Sequence, residues 1–414
     1  MKSTTHFALA AALLFVAMAA PAQVVSFAES TEEEMVLTSV KHEQRIQNRR
    51  LVLDGAEEGL EKTWADVKQV AGRMGLDVGA DVSYLAQRGA PGGKQTAIQG
   101  VYYPYLTWNL FKNSSVGTGQ FNVNYTLVRY WGTQANRVQN RLNTAVAFND
   151  YMANQEFFSQ FSYTHTLPGS WNWLSVTVGQ YPLYNFDGTT YLDNQQTALM
   201  NYALSQNASA AYPTASFGGY LQAQTKNFTL AAGYQDATNI TGQTIELDEA
   251  FSGKYTGFGY MSWTPAFDWG AGQYSVLYYY QPSVEKQPED VNGWSLNMQQ
   301  NLGKKWAVFA RANGSDKNVT GVKNSYALGA ALLNPLKRNT QDAIILGVAY
   351  NRLSKAGLGA AYARPEEMAV EMAWVWGIGK LVTVTPDVQI YPRAGLNQEK
   401  QFTTVVGLRT TVQL

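Results

Sequence analysis

From Leu76 onward the chain alternates apolar and polar residues with a period of two, and no other feature constrains its fold as tightly. In "LDVGADVSYLAQ", Leu76, Val78, Ala80, Val82 and Tyr84 occupy one face, and Asp77, Gly79, Asp81 and Ser83 the other. Successive side chains of a strand point to opposite sides, so this run reads as a strand with one apolar and one wet face. "QFNVNYTLV" repeats the pattern, with Phe121, Val123, Tyr125 and Leu127 against Gln120, Asn122, Asn124 and Thr126. "WSLNMQQ" and "AIILGVAY" continue it, the latter placing Ile344, Leu346, Val348 and Tyr350 together. A dry sandwich core does not need so many Asn, Gln, Asp and Thr, because every buried polar group must find a partner. A water-filled lumen accommodates them.

Sixteen such runs are predicted, near residues 75–88, 99–111, 117–131, 153–166, 172–182, 215–225, 227–238, 254–265, 272–282, 292–302, 304–314, 323–335, 340–354, 366–378, 380–392 and 401–414. An even count suits a single-chain antiparallel barrel. The connections alternate as well. Links near Asn113, Gly169, Lys226, Asp268, Gly303, Asn339 and Gly379 are short, whereas 132–152, 183–214, 239–253 and 283–291 are long. Outer-membrane barrels have short periplasmic turns and long extracellular loops. Trp108, Trp131, Trp171, Trp173, Trp263, Trp269, Trp306, Trp374 and Trp376 cluster near strand ends, as interfacial girdles require. The fold class is therefore all-β, a transmembrane antiparallel barrel over residues 75–414. The last run, "FTTVVGLRTTVQL", places Val406, Leu408, Val412 and Leu414 toward lipid and Arg409, Thr411 and Gln413 toward the lumen. It is expected to close the barrel against the strand starting near Leu76 and to present the signal read by the outer-membrane insertion machinery.

The start of the chain is different. "MKSTTHFALAAALLFVAMAAPAQ" has one Lys, an apolar run from Phe7 to Ala20 and a small-residue cleavage site after Ala22, so residues 1–22 read as a signal peptide. The apolar run is shorter than the roughly 20 residues that a membrane-spanning helix needs. Residues 23–74 read as a periplasmic helical segment: they are charged, and Leu60, Trp64, Val67 and Gly72 recur at helical spacing. A helix docked across the barrel floor is the expected arrangement, ahead of a plug.

The composition removes other classes. Lys plus Arg equals Asp plus Glu at 31 each, which gives no polyanion-binding signal, so nucleic acid is not an expected partner. With no cysteine, the chain has neither disulfides nor thiol catalysis. Beyond the signal peptide only His42 and His165 remain, and neither falls in a Ser-His-Asp arrangement. Asp77 and Asp81 on one strand face are too few ligands for a metal site. No catalytic residue, metal or cofactor is expected. A barrel serving only as an anchor or adhesin stays open at this point, as do channels for anions or organic acids.

Residues 183–214 form the longest connection and, by the up-and-down count, the third extracellular loop. Helical character is expected over 187–206, and inward folding would make this loop the constriction. Gln180, Tyr184, Asn185 and Asp187 at its entrance are candidate substrate-binding residues. Glu156, Arg311, Asp387, Gln389 and Arg409 join them on strand positions taken to face the lumen. Arg and carboxylate groups on opposing walls can orient hydroxyls by paired hydrogen bonds.

"LSVTVGQYPLYNFDGTTYLDN" (174–194) resembles the strand-and-loop signature of the carbohydrate-selective porin family of the OprB type. "FGGYLQAQTKNFTLAAGYQDA" (217–237), "WAVFARANGSDKN" (306–318) and "ILGVAYNRLS" (345–354) are similar to later segments of that family, in matching order. The ending, "TPDVQIYPRAGLNQEKQFTTVVGLRTTVQL" (385–414), carries its Pro-Asp-x-Gln and Gly-Leu-Arg elements. The family often has a basic residue where Gln180 stands, and its closing strand usually ends in Phe where this one ends in Leu414. The resemblance implies a monomeric barrel in the outer membrane that passes monosaccharides or small oligosaccharides, in contact with outer-membrane lipid.

Overall fold

The computed structural model of the chain describes residues 54–90, 96–240, 245, 253–317, 319–399 and 402–414. The signal-peptide expectation and residues 23–53 of the expected helical segment lie outside them. Among the described residues one helix precedes the strands, α1 (Asp54–Arg73), ending before Gly75, whose φ is +75°.

The strands follow in chain order: β1 (Leu76–Ala90), β2 (Thr96–Asn113), β3 (Gly117–Tyr130), β4 (Gln155–Thr166), β5 (Leu174–Tyr181), β6 (Ser216–Gln224), β7 (Phe228–Asp236) and β8 (Tyr255–Trp263). After a two-residue β9 (Ala266–Phe267) come β10 (Gly270–Gln281), β11 (Val291–Leu302), β12 (Trp306–Ser315), β13 (Val322–Leu333), β14 (Ala343–Leu353), β15 (Glu366–Ile378), β16 (Val382–Tyr391) and β17 (Thr403–Gln413). β9 only covers the first residues of β10, and β8 pairs with β10 directly. Every sequence-predicted strand is thus present, and sixteen long strands form the wall.

All pairings between neighbouring strands are antiparallel, and β1 pairs with both β2 and β17, which closes the sheet. At this seam the register runs from Asp81 opposite Gln413 to Ala90 opposite Thr404. Leu414 extends it, its amide donating to the Ala80 carbonyl at 2.7 Å and its main-chain oxygen accepting from the Ala80 amide at 3.3 Å. Closure leaves no strand edge facing hydrocarbon, where unpaired backbone groups cost several kcal/mol each. The outward rows are those read from the sequence: Tyr84, Leu346, Val406 and Leu408 are all exposed.

The inward rows do not simply face water. Two segments, 131–154 and 182–215, fold into the barrel and pack on its inner wall. The largest buried apolar cluster joins Leu192, Leu199 and Leu204 of the second segment to Phe309, Ile345, Ala349 and Ala373 of β12, β14 and β15. At this patch the inward residues are apolar like the outward ones, the outer side for lipid and the inner side for the loop. Gly347 on β14 marks a close approach. A Cβ there would lie 2.6 Å from Leu199 Cδ1, so any side chain must push the loop away.

Two expectations need correction. Only a four-residue turn, Leu183–Phe186, and a one-turn helix, Tyr202–Ser205, are helical in segment 182–215, not the span 187–206. Much of the remaining backbone hydrogen-bonds to the wall, and Gly188, Thr189, Thr190 and Asn194 favour turns over helix. Helix α1, in turn, packs on the outside of the seam. Trp64 meets Ala80 and Leu414, with Val78 and Val412 around them, all on the lipid-facing row, while Asp77 on the lumen row stays exposed. The helix therefore does not close the floor.

Deleting residues 412–414 removes the last seam pairings of Asp81 and Val82 with the closing strand. We expect the truncated protein to lose the heat-modifiable folded band on electrophoresis. A normal folded band would contradict closure through this strand.

Candidate functional site

Segment 182–215 is held by side chains that the wall aims inward. Arg409 on β17 donates to the carbonyls of Gln195 and Ala198, the latter at 3.0 Å, and Thr411 Oγ1 donates to the Gln196 carbonyl at 2.8 Å. Glu371 on β15 accepts the amides of Met200 and Asn201 at 2.5 and 2.8 Å. On β12, Arg311 donates to the carbonyls of Leu192 and Asp187. Charge-assisted bonds of this kind are each worth roughly 1.5–3 kcal/mol. The one-turn helix forms because Asn201 caps it, its side chain accepting the Ala203 amide at 3.0 Å.

The first segment is tied down in the same way. Its short helix α2 (Ala135–Leu142) buries Ala135, Val138 and Leu142. Glu367 on β15 accepts the amides of Ala145 and Val146, each at 2.8 Å, and Gln389 on β16 donates to the Phe148 carbonyl at 2.9 Å. The two segments also hold each other. The Asp150 amide donates to Gln195 Oε1 at 2.8 Å, and Ser205 Oγ donates to the Asp150 carboxylate.

Between the paired segments and the wall of β2, β3 and β4 a cavity of about 420 Å³ remains. Tyr103, Tyr151, Tyr184, Tyr202 and Tyr212 line it, with Asn124, Asn185, Asn194, Gln206 and Asn207 as amide groups. Asp150 and Asp193 are its carboxylates, and among the lining residues there is no Lys, Arg or His. Both carboxylates belong to the loops, outside the spanning strands. Loss of water contact pushes Asp150 up to about 7, against the lowering effect of its bonds to Ser205, Gln195 and Gln206. The same desolvation pushes Asp193 to about 6, with Arg311 nearby drawing it down.

The sequence candidates separate into three groups. Tyr184 and Asn185 line the cavity. Asp187, Arg311, Asp387, Gln389 and Arg409 are brought inward as expected but are buried, and all except Asp387 bond directly to a loop. Asp387 accepts from Gln389 at 3.4 Å. Asp187, itself in the loop, accepts from Asn207, Tyr212 and Asn297 at 2.7, 3.1 and 3.1 Å. Gln180 is buried on the row of Val176 and Val178 and donates to the Phe158 carbonyl, away from the cavity. Glu156 faces outward, bonded to Arg129. Pairing of β3 with β4 shifts register between Asn124 and Tyr125, with Gln160 and Phe158 as successive partners. That bulge inserts Ser159 and reverses the alternation that assigned Glu156 to the lumen. Asp150 and Tyr151 also line the cavity, and their signal in the sequence is the length of segment 132–152.

The family model described as "Carbohydrate-selective porin, OprB family" matches residues 109–414. The chain belongs to the OprB family of porins. Porin AaxA of Chlamydia abortus is 38% identical over 317 residues, covering 76% of this chain and 70% of the relative. Porin AaxA of Chlamydia pneumoniae is 36% identical over 315 residues, covering 76% and 72%. A high-pH structure of Pseudomonas putida OprB superposes with a TM-score of 0.71 at 15% identity, covering 85% of this chain and 97% of that one. The low-pH structure of the same protein gives 0.54 at 16% identity, covering 85% and 96%. These solved structures support the barrel fold. The chain is a channel-forming barrel of the outer membrane.

In this porin Arg409 carries two loop carbonyls, so Arg409→Met should lower the stability of the folded barrel by about 3 kcal/mol or more. The melting temperature in detergent reports that loss. Single-channel recording should show a larger, noisier conductance as residues 195–198 come away from the wall. An unchanged conductance would mean that the loop stays in place without this arginine.

Proposed function

We propose that the porin gives passive passage to small polar solutes, with monosaccharides and short oligosaccharides foremost. The observation that carries this reading is the cavity at the constriction, lined by five tyrosines and by amide side chains. Ring faces suit the apolar patches of a sugar, and amides and phenols supply both donors and acceptors for its hydroxyls. No full cage of charged groups surrounds the solute, which suits a channel that must release what it binds. Tyr151, Tyr184, Asn185, Tyr202, Asn207 and Tyr212 are assigned to solute contact. Arg311, Gln389, Arg409 and Asp187 act by positioning the loops, and the solute does not touch them. Anions and organic acids are disfavoured, because the charged groups of the lining are carboxylates.

Those carboxylates favour a second reading, passage of small cationic solutes. Asp150 and Asp193 ionise only as the pH rises through about 6 to 7. Cation preference should therefore be weak near pH 5, where both are mostly neutral, and strong near pH 8. Reversal potentials across a salt gradient in planar bilayers measure this directly, and the double variant Asp150→Asn with Asp193→Asn should flatten the pH dependence. Glucose or maltodextrins should reduce the ion current of the parent protein in a concentration-dependent way. Current that ignores sugars but is blocked by small organic cations would replace the first reading with the second. A protein that conducts nothing would sink both.

A further inference from the structure

Helix α1 buries less of its apolar surface than its sequence offers. Leu60, Trp64 and Ala71 share the side that meets the barrel, with Trp64 and Ala71 buried, and Glu61 bonds to Lys380 in the turn between β15 and β16 at 2.5 Å. Beside this contact, at positions three and four apart, run Val67, Val70 and Met74, which lie on one flank of a helix. They remain 38%, 56% and 59% exposed. The charged and amide residues Lys62, Asp66, Gln69 and Arg73 fall on the opposite side. A soluble surface helix normally turns one apolar stripe inward and keeps the rest polar; this one has a stripe wider than the protein covers.

Its position explains the excess. The residues beneath it, Val78, Ala80, Val412 and Leu414, belong to the same outward rows as Tyr84, Val406 and Leu408, which face lipid farther along the strands. The exposed stripe ends where the Gly75 carbonyl accepts the Asn109 amide at 2.8 Å, beside Trp108 of the outward β2 row. The stripe is therefore continuous with the lipid-facing band at the short-turn end of the barrel. We propose that α1 is an interfacial membrane helix, seated against the seam, whose Val67, Val70 and Met74 enter the acyl region of the adjoining leaflet while its polar side stays at the headgroups.

The native chain lacks cysteine, so single cysteines can be spin-labelled in the full protein. The variants are Val70→Cys, Gln69→Cys on the polar side, and Val406→Cys on the exposed row of β17. They are reconstituted in phosphatidylethanolamine and phosphatidylglycerol vesicles, and label collisions with oxygen and with a water-soluble nickel chelate are compared. The label at 406 reports that the barrel is inserted. The expected result is an oxygen-to-nickel ratio at 70 close to that at 406 and several-fold above that at 69. A ratio at 70 equal to that at 69 would place the stripe in water and overturn the proposal. Low collision rates with both reagents would also overturn it, because a second copy or another protein would then cover the helix.

Discussion

A loop that enters a barrel must find partners for its backbone, and this constraint organises the molecule. Each non-proline residue brings a donor and an acceptor that are costly to bury unpaired. Here the inward rows supply those partners: Arg311 and Arg409 take carbonyls, Glu367 and Glu371 take amides, and Gln389 and Thr411 reach further carbonyls. The groups that at first suggest a charged eyelet are consumed in holding it. What is left to line the cavity is the tyrosines, amides and two carboxylates of the loops, together with wall residues such as Tyr103 and Asn124.

This division explains what the sequence disclosed. The wall was legible because alternation is a local consequence of strand geometry, and Leu346, Val406 and Leu408 had to point outward once β14 and β17 were strands. The constriction was only partly legible. Tyr184 and Asn185 follow a strand end and line the cavity, but Glu156 faces outward because of the bulge at Ser159, which leaves no obvious local mark in "NQEFFSQFS". Arg311 and Arg409 were correctly sent inward, yet whether an inward arginine meets solute or a loop carbonyl depends on contacts far away along the chain.

One signal of the loop's resting place was present. "AIILGVAY", although placed above with the alternating runs, is apolar on its second face as well (Ala343, Ile345, Gly347, Ala349), as is "ALGAALL", whereas "QFNVNYTLV" is polar on one. A barrel sector with two apolar faces needs something apolar inside, and Leu192, Leu199 and Leu204 provide it. Gly347, read together with that pattern, marks a place where the loop presses close to the wall. The asymmetry also fixes where the cavity remains, against the polar walls of β2 to β4.

Segment 182–215 covers the wall of β12 to β15, and the proposed path runs on the other side. Single cysteines at Asn185, which lines the cavity, and at Ala373, which is buried beneath the loop, test it in planar bilayers with a charged, water-soluble thiol reagent. Rapid, stepwise loss of current is expected for Asn185→Cys and no reaction for Ala373→Cys. Modification of Ala373→Cys at a rate equal to that of Asn185→Cys would show the wall open to water and contradict this arrangement.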